Sequence, residues 1–150
     1  MKLNKKGFTL IELLAVIAIL AILVVVAVPG VLNMYNSGKK STFESQAKSI
    51  WKSLETAIIN DSIAGKGPYA TYCFDGTARA ANATYGQLEL SGTKSVYYKA
   101  TVANGVITDL DVEQVDASKN IIYQITNMTG IDSVTATTPA STTQTTISCS

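Results

Sequence analysis

The chain of 150 residues contains no histidine. That removes the commonest general base, the usual partner of a nucleophilic Ser or Cys, and the commonest metal ligand. Charge is scarce as well: Asp, Glu, Lys and Arg make up 15% of the residues, against about 25% in an ordinary soluble domain. Twelve basic and eleven acidic side chains leave a formal net charge of +1, which gives no bulk attraction to nucleic acid. No basic–aromatic stripe of the kind that binds DNA is present either. With no nucleophile–base pair and no metal set to assemble, an enzyme is not expected, and neither is a cofactor. What the chain has instead is apolar length. Leu13 to Val28 reads LLAVIAILAILVVVAV, sixteen residues without a polar side-chain atom.

Residues 1–7, MKLNKKG, place Lys2, Lys5 and Lys6 ahead of that run. Basic-then-apolar order holds the lysines on the cytoplasmic side. The 21 residues from Phe8 to Val28 would rise about 31 Å as a helix, enough for a hydrocarbon core of about 30 Å. One charge, Glu12, falls inside the span. A carboxylate at the bilayer centre costs roughly 2.5–3.5 kcal/mol on insertion scales and less near an end, so Glu12 is a functional residue in need of a partner. Two plainer readings compete. Val25-Val26-Ala27 offers small residues at the −3 and −1 positions of an ordinary signal-peptide cut before Val28, although such a signal needs neither the glutamate nor so long a run. A plain single-pass anchor is the other.

The residues Lys5 to Leu23, KKGFTLIELLAVIAILAIL, resemble the class III signal of type IV pilins and of the related type II secretion and competence pseudopilins. The resemblance implies that a prepilin peptidase cuts between Gly7 and Phe8 and methylates the new amine of Phe8. Glu12 then becomes the fifth mature residue, and Pro29 the twenty-second, where type IV pilins usually carry a helix-bending proline. The fourteenth mature position, often glycine in pilins, is Ala21. The resemblance covers about one fifth of the chain. Loss of residues 1–7 leaves nine basic against eleven acidic side chains.

Beyond Pro29-Gly30, apolar residues recur at Phe43, Ala47, Ile50, Leu54, Ala57 and Ile58, with Trp51 beside them. Steps of three and four describe one face of an amphipathic helix that needs a folded head to cover it. The Gly65-Lys66-Gly67-Pro68 cluster is the expected stop. Residues 65–94 carry loop signals (Asp75-Gly76, Thr77–Thr84, Ser91-Gly92) and little periodicity. From Val96 the pattern alternates as strands do. The expected fold is α+β and pilin-like: a long N-terminal helix, transmembrane then amphipathic, packed against a small antiparallel β-sheet head. Its expected parts are a cleaved leader (1–7), a transmembrane and filament-core helix (8–32), an amphipathic helix (33–64), a connecting loop (65–94), an antiparallel sheet (95–127) and a Ser/Thr-rich C-terminal segment (128–150).

Asn104-Gly105 marks a hairpin turn, and alternation predicts its length. A two-residue loop would place the apolar sets Val96, Tyr98, Val102 and Val106, Leu110, Val112 on opposite faces. A three-residue loop, Ala103-Asn104-Gly105, would pair Val102 with Val106 and Tyr98 with Leu110, and set Lys99 opposite Asp109. Asp109, Asp111 and Glu113 then form a solvated strand face; three acids in a row diverge, so they do not make a calcium site. A third strand is expected at Asn120–Thr126. Eleven of the last eighteen residues are Ser or Thr, which predicts a surface segment with a short strand at Thr145–Ser148. Two sequons, Asn82-Ala83-Thr84 and Asn127-Met128-Thr129, are read as chance matches. The two cysteines, Cys73 and Cys149, lie on the exported side, where an even count favours a disulfide. Such a bond would enclose nearly the whole head, unlike the short terminal loop common in type IV pilins.

The function expected from the resemblance is a structural subunit, first of all the major pilin, of a type IV pilus. Its partners would be further copies of itself in a helical homopolymer, the prepilin peptidase, a membrane assembly platform with minor pilins, and the membrane before assembly. Its location would be single-pass in the cell membrane and then the extracellular pilus. The alternatives are a pseudopilin of a type II secretion or competence system, and a membrane-tethered binding module.

Overall fold

The computed structural model of the chain describes residues 9–88, 95–132 and 134–149. It contains α1 (Leu10–Ile63), β1 (Thr71–Phe74), β2 (Val96–Ala103), β3 (Val106–Val115) and β4 (Ile121–Met128). Chain contacts divide it into two compact units, one up to Lys39 and one from Lys40 onward.

In the first unit every described residue is exposed. From Leu13 to Val28 α1 is apolar on all sides, and the helix is long and apolar enough to cross a membrane. Exposure all round is what lipid tolerates and water does not. Pro29 sits within α1 without ending it, although it has no N–H to donate to the carbonyl one turn earlier.

In the second unit α1 becomes amphipathic. Phe43, Ala47, Ile50, Trp51, Leu54 and Ile58 are buried, the stripe expected from their spacing. They pack against one face of the sheet, whose contribution includes Tyr72, Tyr98, Ala100, Leu110, Val112 and Met128. Leu54 is fully enclosed, and burial of such a side chain is worth about 1.5–3 kcal/mol. The helix ends where the glycine cluster predicts. Gly65 takes a φ of 69°, Lys66 N–H donates to the Asp61 carbonyl at 2.9 Å and Gly65 N–H to Ser62 at 3.2 Å. These are the paired bonds of a Schellman motif, which satisfies carbonyls the helix leaves open.

The four strands form one antiparallel sheet in the order β1-β2-β3-β4. Three expectations need correction. First, β1 lies inside the segment expected to be a connecting loop. Its four residues are too few to show a period, and both Tyr72 and Cys73 are buried because Tyr72 faces the helix and Cys73 faces the other side. Second, the β2–β3 turn has two residues, not three: Ala103 pairs with Val106, and Asn104 and Gly105 both have positive φ, 53° and 76°. That is the geometry of a tight primed turn. Val106 consequently points outward and Ile107 inward opposite Val102. The register then shifts, with Thr101 opposite Asp109 and Ala100 opposite Leu110. Thr108 is the extra residue of a β-bulge, which resets the parity and returns Leu110 and Val112 to the core. Lys99 faces Asp111 rather than Asp109.

Third, the acidic face is not all solvated. Glu113 is only 3% exposed, because the C-terminal segment crosses over it. That segment forms no strand at Thr145–Ser148. It makes single bridges, Thr137 to Gln124 and Gln144 to Asn120, and buries Ala136 and Ile147. The expected third strand is present as β4, with Ile121 and Ile125 buried and Tyr123 stacked on Phe43 at 5.9 Å.

Candidate functional site

The apolar half of α1 begins at a helix cap. Thr9 N–H and Thr9 Oγ1 both donate to Glu12 Oε2, at 2.9 and 2.8 Å, and Glu12 N–H returns to Thr9 Oγ1 at 3.3 Å. Thr9-Leu10-Ile11-Glu12 is therefore a reciprocal capping box, in which N-cap and third helical residue satisfy each other's open donors. Thr9 is the residue that sequence reasoning missed; the T-x-x-E spacing ahead of an apolar run was its signal. The box holds the Glu12 carboxylate to its own helix end, so it is not bare even within one subunit. Asp or Glu in the first turn also meets the positive end of the helix dipole.

Gly7 and Phe8, the expected cut and methylation positions, lie outside the described residues. Ala15, Ala18 and Ala21 follow Glu12 at steps of three, all exposed, and small side chains let another helix approach closely.

On the second unit, Cys73 of β1 and Cys149 of the C-terminal segment form a disulfide, with Cα atoms 5.7 Å apart. Around it Tyr97, Val115 and Ile147 make a second small core on the sheet face away from α1. The segment is held by polar anchors too. Cys149 N–H donates to Asp75 Oδ2 at 3.2 Å. Thr145 Oγ1 donates to Glu113 Oε2, Thr146 N–H to the same oxygen at 3.2 Å, and Thr146 Oγ1 to Oε1 at 2.7 Å. Asp111 instead accepts from Asn127 N–H at 2.9 Å, and Asp109 Oδ1 is buried without a partner. The three acids do not converge on a common point. Burial and the neighbouring Asp111 charge hold the Asp109 carboxyl above the usual range. Burial also acts upward on Asp75, but bonds from Thr77 and from Cys149 N–H outweigh it and leave its carboxyl below the ordinary value.

A family model described as the prokaryotic N-terminal methylation motif matches residues 2–28. The chain therefore carries the class III signal of type IV pilins and pseudopilins, and the match supports a precursor of that kind. The motif implies processing by prepilin peptidase and assembly into a polymer, and together with the apolar helix it fits a membrane-anchored precursor. Neither a curated protein nor a solved structure matches the chain at a significant level.

Proposed function

We propose that this protein is the major structural subunit of a type IV pilus. The observation that carries the proposal is a capped helix whose first part, Leu10 to Val28, is apolar and exposed on every side and bears one carboxylate, Glu12. Cleavage between Gly7 and Phe8 would free an amine four residues before Glu12 and remove three lysines. Identical helices would then leave lipid and bury their apolar surfaces against one another in a filament core. Glu12 of one subunit would meet the Phe8 amine of a neighbour displaced along the axis, giving a register where apolar packing alone permits sliding. Pro29 would bend the helix as it leaves the core. The head, closed by its disulfide, would remain outside. The assembly platform and minor pilins would act before and during polymerisation.

Electron microscopy of sheared cell-surface material, with intact mass and N-terminal sequencing, tests this directly. Filaments of a chain that begins at methylated Phe8 are expected. A chain beginning at Val28, with no filaments, would establish the signal-peptide reading in its place.

A further inference from the structure

The chain has one Asn-Gly pair, Asn104-Gly105, and one Asp-Gly pair, Asp75-Gly76. Either dipeptide can cyclise when the glycine nitrogen attacks the side-chain carbonyl carbon before it, and asparagine is for that reason thermolabile. The structure treats the two pairs oppositely. Asn104 and Gly105 make up the whole β2–β3 turn, both exposed and both at positive φ, 53° and 76°. Among the described residues neither the Asn104 amide nor the Gly105 N–H has a hydrogen-bond partner. A Cβ added at Gly105 would meet nothing within 4 Å, so open space surrounds the bonds that must rotate. The adjoining pair, Ala103 with Val106, is the last of its ladder, so rotation frays one end of the hairpin and leaves the sheet intact. Asp75-Gly76, by contrast, is locked. Asp75 Oδ1 accepts from Thr77 N–H at 3.2 Å and from the Thr77 hydroxyl, and Oδ2 accepts from Cys149 N–H at 3.2 Å. Against the upward push of burial these bonds hold the carboxyl below its ordinary range, and an ionised carboxylate resists attack by nitrogen. Gly76 also backs onto Tyr97, whose hydroxyl would lie 2.8 Å from an added Cβ. Asn127 has a positive φ too, 56°, but Met128 after it is buried and paired with Leu110 in the sheet.

We infer that Asn104-Gly105 is a modification site, at which the folded head deamidates with water as the only co-reactant. The Gly105 nitrogen gives up its proton to base and bonds to Asn104 Cγ. The Cγ–Nδ2 bond breaks, that nitrogen leaves as ammonia, and a five-membered succinimide remains. Water then adds to one of the two ring carbonyls and opens it to aspartate or to isoaspartate. One water enters, one ammonia leaves, and nothing is oxidised or reduced. Either product gains a negative charge at the tip of the hairpin. The two differ in what they do to the turn. Asp-Gly suits a two-residue primed turn as Asn-Gly does, whereas isoaspartate carries the main chain through the side-chain carbon and lengthens the turn by one atom. The protein therefore ages at one defined place, whether or not it polymerises.

The test incubates the full chain, folded in detergent with its disulfide formed, at neutral and at mildly alkaline pH, then reduces it and digests it with trypsin. The peptide Ala100–Lys119 holds Asn104 as its one asparagine. It should gain the mass of an amide-to-acid exchange, and faster at the higher pH because base removes the Gly105 proton. It should also accept a methyl group from isoaspartyl methyltransferase, while the peptide Gly67–Arg79, which holds Asp75, accepts none. Asn104→Gln would have to close a six-membered ring, and both signals should be lost. An Asn104 that keeps its amide in the folded wild type overturns the inference, as does conversion of Asn82, Asn120 and Asn127 at the same rate. A methylation signal that survives Asn104→Gln, or one from Asp75 equal to that from Asn104, overturns it as well.

Discussion

Thr146 and Glu113 bind across 33 positions of sequence, the threonine giving its backbone N–H and its hydroxyl to one carboxylate. Thr145 adds a second hydroxyl. These donors are all neutral, yet they cover a carboxylate that is 3% exposed. A tail whose Ser/Thr content reads as solvated is thereby fastened to the outer face of the sheet, and the hydroxyls serve as ligands for a buried acid.

Glu113→Ala should therefore destabilise the head by about 3 kcal/mol, since hydrogen bonds to a charged group are worth about 1.5–3 kcal/mol each and the threonine donors would be left open. Glu113→Gln should cost clearly less, because its amide oxygen still accepts and the hydroxyls can rotate to receive its N–H groups. Thermal unfolding of the full chain in detergent compares the two. Equal losses would mean that side-chain volume, not hydrogen bonding, fixes the tail.

The Cys73–Cys149 bond spans 76 positions. In the chain-entropy model a loop of that length stabilises by at most about 4.5 kcal/mol. Cys73→Ser and Cys149→Ser should lower the melting temperature by similar amounts. Two free thiols in wild-type exported protein, by non-reducing mass spectrometry, would refute the bond.

The acid residues of the head predict opposite responses to pH. Asp116 accepts from Asn120 N–H at 2.9 Å, from the Asn120 amide at 3.0 Å and from Ser118 N–H at 2.8 Å. The Asn120 bonds foremost hold its carboxyl below the ordinary 3.8, and Asp75 is lowered as well. A lowered folded-state value means stability that is complete above the unfolded value and lost as pH falls through the folded one. Asp109 has the reverse sign: raised by burial first and by Asp111 second, it favours folding below about 3.9 and opposes it once ionised. Asp116→Ala should therefore flatten the acid limb of a melting-temperature profile. Asp109→Asn should raise the melting temperature at pH 7 and leave it unchanged at pH 3. An Asp109→Asn variant that melts lower at pH 7 would contradict the burial penalty.

The helix face was legible because Phe43, Ala47, Ile50, Leu54 and Ile58 repeat without interruption, and all are buried. The hairpin was legible only in outline. Alternation presumes an unbroken period of two, and the Thr108 bulge breaks it; Val106 and Ile107 are adjacent and equally apolar, so their residue types do not say which faces in. β1 was illegible because four residues show no period. Glu113 resembles its half-buried neighbours Asp109 and Asp111 in residue type and strand spacing, and only the return of the chain at Thr145 and Thr146 separates it from them. Thr9 lies three residues before Glu12 at the start of the apolar run, a capping-box spacing that marks it as the carboxylate's hydrogen-bond partner.

That double character of Glu12 can be separated by substitution. The carboxylate closes the capping box with Thr9, and it is also the charge proposed to meet the Phe8 amine of a neighbouring subunit. Loss of a cap costs about 1 kcal/mol, whereas breaking a buried ion pair costs about 3–5 kcal/mol because one charge is left uncompensated. The larger effect should govern assembly. Glu12→Gln keeps an acceptor for Thr9 and loses the charge; Thr9→Val loses the capping hydroxyl and keeps the charge. If the ion pair sets the register, Glu12→Gln and Glu12→Ala should both be inserted and cut after Gly7, yet form few or no filaments when expressed alone. Thr9→Val should form filaments in near-normal number. Intact mass of the membrane-bound chain reports the cut, and electron microscopy of sheared material reports the polymer. Abundant filaments from Glu12→Gln together with a defect in Thr9→Val would assign Glu12 to the helix end and leave the register to apolar packing.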